Sequence, residues 1–524
     1  MSYNTRTMKD LKKTTALIIM DGWGVSSPKN KGNAITTKTA PNYFKWLKRF
    51  PHTELEASGE AVGLFRGQEG NSEAGHMNLG AGRTVKQDAA YIVDAIKDGT
   101  FFKNNAFGLA LHHVRKYKTA VHLMGLLSNH NSAHSCPEHL YALLDYLHRE
   151  KIDKVYLHLF TDGRDSGQYD APEHLAKLKA KFQGKEKIVT IVGRLYAMDR
   201  NKQWERTKRV YDAMIRGIGK KSNTAEEAIQ LAYNSGQTDE FIEPTVIVED
   251  GKPVGTIKSN DAIFFFNTRS DRARQLTKAF VQPKFEKANP GAFKREKLPK
   301  NIRFVAMTDF GPDLSSVLTA YPSRDVKNSL VQVLCPKKQI CIAEAEKFAH
   351  VTYFFNGGYA SHFCDEEWVK VESRKVDNYA TVPEMNAKVV GDLVVKSIES
   401  GRYDFLVVNF ANPDMVGHTG VFEAGKKAVQ TVDHEVERAV QAILKTGGQA
   451  IITADHGNIE QMVNLKTGEI DTEHSVNKVP CIIVAKNLKI KKIRSKGKLG
   501  DVAPTLLKMM GLPKPKEMTG KALF

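Results

Sequence analysis

Two residue pairs in this chain have a spacing that suits a cation. Asp414 and His418 stand four apart in Asn412-Pro413-Asp414-Met415-Val416-Gly417-His418, so one helical turn would bring a carboxylate and an imidazole to the same side. Asp455 and His456 are adjacent in Asp455-His456-Gly457-Asn458, as a tight turn would present them. Asp21, followed by Gly22, and His474, in Thr472-Glu473-His474-Ser475-Val476-Asn477, add to the supply. Each placement alone is ordinary, because Asp caps helices and His satisfies loops; their recurrence points to metal. Carboxylate and imidazole donors without thiolates favour Mn or Zn, with Mg where carboxylates dominate. Ser72, in Gly70-Asn71-Ser72-Glu73-Ala74-Gly75-His76, has two readings. It is a helix N-cap, or it is a nucleophile whose hydroxyl a bound cation acidifies and whose phosphate the helix amides favour.

Arginine marks a second set: Arg164 beside Asp165, Arg194, Arg200, and the group Arg269, Arg272 and Arg274. Guanidinium groups bind phosphate and carboxylate bidentately. A single arginine is usually a surface residue, but their repetition behind apolar runs favours an anion pocket. Asp165 is either the ion-pair partner of Arg164 or a general acid/base for a hydroxyl proton.

These residues share a position relative to their elements. Apolar runs at 16–20, 120–124, 155–160, 188–192, 262–266, 405–408 and 450–453 each end in polar residues, and helical segments intervene. Strands alternating with helices predict an α/β fold with parallel sheets, in which ligands collect beyond the carboxyl ends of the strands. Residues 137–148 predict one such helix, with Pro137 in its first turn and Leu140, Leu143, Leu144 and Leu147 on its core face. Before about residue 86 and after about residue 320 the strand-end residues are Asp, His and Ser; between those limits they are mostly Arg, with His134 and Asp165. The expected organisation is a discontinuous metal-binding domain, 1–86 and 320–524, carrying an inserted domain, 87–319. Residues 283–299, rich in Pro, Gly and Lys, predict a surface loop.

The length of 524 residues exceeds what one hydrophobic core usually serves, and 41% hydrophobic with 26% charged residues is ordinary globular composition. The run 16–20, behind Lys9, Lys12 and Lys13, is too short for a signal-peptide core or a membrane span and predicts a strand. Five scattered cysteines (Cys136, Cys335, Cys341, Cys364, Cys481) without a CxxC pair predict neither a disulfide framework nor a structural zinc site, and a reducing cytoplasm is expected. The net charge of +18 is compatible with nucleic acid, an anionic membrane surface or acidic small substrates. Its densest stretch, 486–498, has no aromatic residue for base stacking and predicts a solvated strand edge or loop.

The motifs together resemble a family. Leu17-Ile18-Ile19-Met20-Asp21-Gly22-Trp23-Gly24, the block from Gly70 to Gly80, Ala411-Asn412-Pro413-Asp414-Met415-Val416-Gly417-His418-Thr419-Gly420 and Thr453-Ala454-Asp455-His456-Gly457-Asn458 look like successive motifs of the cofactor-independent phosphoglycerate mutases of the alkaline-phosphatase superfamily. Asp162-Gly163-Arg164-Asp165, Gly193-Arg194-Leu195-Tyr196-Ala197-Met198-Asp199-Arg200, the segment from Phe265 to Gln275 and that from Glu344 to Thr352 match likewise. The resemblance implies an alkaline-phosphatase-like α/β/α core with an inserted α/β domain. It implies two divalent ions, manganese in the family, one held by Asp414, His418 and His474 and the other by Asp21, Ser72, Asp455 and His456. Arg164, Arg194, Arg200, Arg269 and Arg272 would hold glycerate and its phosphate, Lys347 would stabilise the transferring phosphoryl group, and Asp165 would carry the proton. One loop departs from the family's Asp-Gly-Gly-Val-His-Ser-His: here it reads Asn129-His130-Asn131-Ser132-Ala133-His134-Ser135-Cys136. His134 aligns with the substrate-contacting histidine, with His130 as its rival. The implied reaction interconverts 3- and 2-phosphoglycerate, in glycolysis and gluconeogenesis, through a phosphoserine on Ser72 and without 2,3-bisphosphoglycerate. Closure of the insert is expected to exclude water, and the chain is expected to be a cytoplasmic monomer. The rivals are a metal-dependent phosphatase or phosphodiesterase of the same superfamily, a phosphopentomutase-type relative, whose nucleophile is threonine, and a basic nucleic-acid-binding protein.

Overall fold

The computed structural model describes residues 13–27, 29–130, 132–486, 490 and 492–524. Lys9 and Lys12, Asn131 of the departing loop, and residues 487–489 and 491 of the basic stretch lie outside the described residues. The chain forms two compact units, Met1–Gln87 with Asp325–Phe524, and Asp88–Arg324.

The sheet of the first unit is built around Thr15–Met20, whose six residues are all buried. An uninterrupted apolar strand of that kind suits the middle of a parallel sheet covered on both faces. It pairs in parallel with Phe405–Phe410 on one side and Gln449–Thr453 on the other. Gln339–Glu344 and Glu366–Val371 continue the parallel order outwards. Beyond Gln449–Thr453 the sheet turns antiparallel at Val479–Ala485 and His52–Glu56. It ends in the short edge strand Gly497–Lys498, the carboxyl end of the basic stretch, whose Ile490 and Ile493 pack on the core. The helix Phe422–Thr446 covers the sheet with Val429, Val432, Val436, Ala439, Val440 and Ile443, a helical stripe that is buried throughout.

The sheet of the second unit runs Leu318–Tyr321, Arg303–Thr308, Ala262–Phe265, Val121–Leu127, Val155–Thr161 and Glu186–Gly193 in parallel, then antiparallel into Thr245–Glu249. The helix Pro137–Arg149 buries Leu140, Leu143, Leu144 and Leu147 against it. No described helix is long and apolar enough to cross a membrane.

Two expectations are corrected. Residues 283–299 are not simply a surface loop: Phe285–Ala288 is a helical turn, and Phe285 is fully buried with its ring centroid 5.3 Å from that of Trp204. One aromatic residue anchors a segment whose composition otherwise signals a loop. Cys335 and Cys364 form a disulfide with a Cα–Cα distance of 5.8 Å. They are 29 residues apart in sequence, so no local spacing announces a pair that tertiary packing creates.

Candidate active site

In the first unit the expected metal and nucleophile residues converge at the carboxyl ends of the central strands. Asp21 follows Thr15–Met20 directly, and Gly22 lets its loop pass the loop carrying Asp414. At Gly22 φ is +73°, and a Cβ there would lie 2.8 Å from Asp414 Cα, so any side chain would force the two carboxylates apart. Asp414 lies in the turn Asn412–Gly417 after Phe405–Phe410, and Asp455-His456 follows Gln449–Thr453.

Ser72 is the first residue of the helix Ser72–Ala81, and the N-cap is Asn71, whose side chain accepts from the Ala74 amide at 2.9 Å. The capping reading of Ser72 therefore falls away, and its hydroxyl is turned to the cluster. Ser72 Oγ lies 2.9 Å from His456 Nε2 and 3.4 Å from Asp21 Oδ1, and it accepts from Lys347 Nζ at 2.8 Å. The Lys347 ammonium also bridges Asp21 Oδ1 at 2.7 Å and Asp414 Oδ2 at 2.6 Å.

The histidines share one arrangement. His418 Nδ1 donates to Thr472 O at 2.8 Å, His474 Nδ1 to Gly70 O at 2.8 Å, and His456 Nδ1 lies 3.3 Å from Gly457 O. Carbonyl acceptors hold the proton on Nδ1 and leave the Nε2 lone pair for the site. His418 and His474 then face each other Nε2 to Nε2 at 3.0 Å, with Asp414 Oδ1 at 3.3 Å and 3.1 Å. Two lone pairs and a carboxylate oxygen at that separation repel unless a proton or a cation lies among them, so this donor set fits a metal. Asp21, Asp414 and His456 form another group whose ligand atoms lie within 4.8 Å of one another. In the ion-free chain Asp414 falls well below the usual carboxylate range: burial pushes it up, but Lys347 and His418 outweigh that. Burial, then the charge of Asp455, raises Asp21.

Three residues of this site were missed from sequence. His76 Nδ1 donates to Ser72 O at 2.9 Å and approaches Asp455 Oδ2 at 3.2 Å. Asn409 Nδ2 donates to Asp21 Oδ2 at 2.5 Å and to His76 Nε2 at 3.0 Å. Both His76 nitrogens are thus engaged, Nδ1 by the Ser72 carbonyl and Nε2 by Asn409, so it offers the site no lone pair. Asn458 Nδ2 donates to Asp414 Oδ1 at 3.1 Å. The available signals were the four-residue step from Ser72 to His76 and a lone amide, Asn409, in an apolar strand.

The second unit gathers the arginine set. Arg194 is 2% exposed and its Nη1 pairs with Asp162 Oδ1 at 2.6 Å and Asp165 Oδ2 at 2.8 Å. Ser132 Oγ donates to Asp165 Oδ2 at 2.7 Å. Burial raises Asp165, yet Arg194 and the Ser132 hydroxyl together hold it below its ordinary value. Arg200 and Arg269 both meet Asp271, at 2.7 Å and 3.4 Å. Arg272 is lowered, first by burial and then by the charges of Arg200, Arg194 and Arg164, which marks a place where an anion would relieve repulsion. His134 lies here, 3.8 Å from Asp271 Oδ1, and burial pushes it down to about 4. His130 lies elsewhere, with Glu138 Oε1 2.7 Å from its Nε2. Arg164 is mostly exposed and reaches Glu240 at 3.7 Å rather than pairing with Asp165. Arg274 leaves the group altogether for Asp313 at 2.5 Å. Asp271 and Ser132 were not singled out from sequence, although both lie inside quoted segments.

Known proteins resemble the chain along its whole length. Residues 92–312 match the family model described as the BPG-independent PGAM N-terminus, and residues 317–504 that of type I phosphodiesterase / nucleotide pyrophosphatase. A 2,3-bisphosphoglycerate-independent phosphoglycerate mutase of Clostridium acetobutylicum is 45% identical over 98% of this chain and 99% of its own. One from Methanosarcina barkeri is 47% identical over 99% of each. A crystal structure of Leishmania mexicana phosphoglycerate mutase, at low cobalt concentration, superposes with a TM-score of 0.78 and 28% identity over 98% of both chains. With this identity over nearly its full length, the chain belongs to the 2,3-bisphosphoglycerate-independent phosphoglycerate mutase family.

Proposed function

We propose that the chain interconverts 3-phosphoglycerate and 2-phosphoglycerate through a phosphoserine on Ser72, with two divalent ions, manganese by preference, and no bisphosphoglycerate. The observation that carries this reading is Ser72 itself: its hydroxyl is released from capping by Asn71 and held within 2.9 Å of both Lys347 Nζ and His456 Nε2. Asp414, His418 and His474 would hold one ion, and Asp21, Ser72, Asp455 and His456 the other. Bound there, such ions would supply positive charge and acidify the serine hydroxyl. Lys347 neutralises charge on the phosphoryl group as Ser72 takes it, and this charge placement is what phosphoryl transfer mainly needs.

Arg194, Arg200, Arg269 and Arg272 retain glycerate by its carboxylate and phosphate, with Arg164 at the exposed margin and His134 as a neutral hydrogen-bonding partner. Asp165 carries the proton. Arg194 and the Ser132 hydroxyl keep it ionised, so it has room for the proton of the attacking glycerate hydroxyl but is a weak base until that hold is loosened. Donation to the departing alkoxide needs the opposite state, and substrate supplies the switch: an anion drawn to Arg194 weakens the guanidinium's hold on Asp165 and raises it. One chain carries every group the reaction uses, so a monomer suffices for it; the cytoplasmic location expected from scattered cysteines is at odds with the Cys335–Cys364 disulfide. The arginine set favours a mutase over a phosphatase or phosphodiesterase, which has no need to retain glycerate. A phosphorus NMR time course with Mn²⁺ and 3-phosphoglycerate, free of bisphosphoglycerate, tests the proposal. The expected product is 2-phosphoglycerate; accumulation of inorganic phosphate alone would refute it.

A further inference from the structure

The loop that departs from the family pattern assembles a third donor set in the second unit. His130 Nε2 lies 2.7 Å and 2.8 Å from the two Glu138 carboxylate oxygens, and Cys136 Sγ donates to Glu138 Oε2 at 2.9 Å. One ligand atom from each of the three residues lies within 4.8 Å of the other two. Cys136 immediately precedes the helix Pro137–Arg149, and Glu138 is in its first turn, so the helix fixes two of the donors. The cluster opens to solvent through His130 and Glu138, whose side chains are 52% and 40% exposed.

We propose that Cys136, Glu138 and His130 bind a thiophilic divalent cation of the zinc type, with water completing a tetrahedron. Thiolate, imidazole and carboxylate together are a zinc-type donor set, unlike the nitrogen and oxygen donors around Ser72. Bond lengths of about 2.0–2.3 Å put tetrahedral ligand atoms roughly 3.3–3.8 Å apart, so these donors need to separate by only about 1 Å. Binding breaks the Cys136 S–H bond and the His130 Nε2–H bond that meets Glu138, forms sulfur–metal and nitrogen–metal bonds in their place, and releases the thiol proton to water while the imidazole proton moves to Nδ1 or to water. Burial and then the Glu138 carboxylate hold that proton on the thiol in the ion-free chain, and the incoming charge reverses both influences. An ion bridging His130 to Cys136 also ties together the two ends of the loop that carries Ser132 and His134. Ser132 is the hydrogen-bond donor to Asp165, so the ion would stiffen that contact.

Cobalt(II) provides a specific probe, because a thiolate ligand produces a near-ultraviolet charge-transfer band and the donor groups around Ser72 contain no cysteine. The full chain, first saturated with Mn²⁺, is titrated with Co²⁺ and then with Zn²⁺. The expected result is a band that saturates at one equivalent, is bleached by Zn²⁺, is lost in Cys136→Ser and is strongly weakened in both His130→Ala and Glu138→Gln. Near-ultraviolet circular dichroism confirms that each variant is folded. Absence of the band in the wild-type chain, or its survival in Cys136→Ser, overturns the site. A band lost in Cys136→Ser but indifferent to His130 and Glu138 would be a lone thiolate adduct and overturns it equally.

Discussion

Replacing Lys347 with methionine tests the electrostatic half of the proposed mechanism. The ammonium lies 2.8 Å from Ser72 Oγ, 2.7 Å from Asp21 Oδ1 and 2.6 Å from Asp414 Oδ2. Methionine keeps most of the stem's volume in a site where Lys347 is 4% exposed, and removes the charge together with its three hydrogen bonds. A phosphoryl group on Ser72 would place its charge about 4 Å from Nζ, where two unit charges interact by about 4 kcal/mol at an effective dielectric of ~20. That energy corresponds to a fall in kcat of about 10³-fold. The same ammonium neutralises Asp21 and Asp414, so its loss leaves the cluster more negative and strengthens its attraction for a cation. The two effects have opposite signs. Initial rates of 2-phosphoglycerate formation, measured across a Mn²⁺ titration, should show the lower kcat with no increase in the Mn²⁺ needed for half-maximal rate. A loss below about tenfold, or full recovery in excess Mn²⁺, would refute the reasoning and make Lys347 an organiser of the ion site.

Ser72→Ala should abolish turnover and phosphoenzyme formation while leaving thermal unfolding nearly unchanged, because Asn71 still caps the helix; residual mutase activity above a few per cent of wild type counts against the nucleophile. Without metal, Asp414 raises His418 from 6.5 to about 9 against the opposing effect of burial, so a proton occupies the ion's place below that pH. The stability this proton contributes is present below pH 6.5 and is lost as pH rises through about 9, whereas the apparent affinity for Mn²⁺ should climb by up to about tenfold per pH unit over the same window. Calorimetric titrations at several pH values check this, and an affinity independent of pH would contradict it. Arg272→Ala should reduce mutase activity by a larger factor than phosphatase activity, since glycerate that escapes leaves the phosphoserine to water; equal losses in paired NMR assays would remove the arginine clamp but spare the nucleophile.

The α/β class and the strands that organise each unit were legible in the amino-acid sequence. Each apolar run, from 16–20 to 450–453, forms a strand within a few residues of its expected limits, because hydrophobic patterning and turn chemistry are local properties. The sequence also displayed the Asp, His and Arg side chains at strand ends, where parallel sheets place their ligands. Tertiary structure decided how those side chains associate. Whether Ser72 caps its helix depended on a competition with Asn71, and whether His130 or His134 lies among the arginines depended on the path of a loop with an unusual sequence. Asn409 joins Asp21 and His76 across 388 and 333 residues, and Cys335 meets Cys364 without any signature spacing. Asp165 exchanged its neighbour Arg164 for Arg194, and Arg274 turned away to Asp313. Such partnerships are set by which loops pack together, a global property that no window of sequence contains.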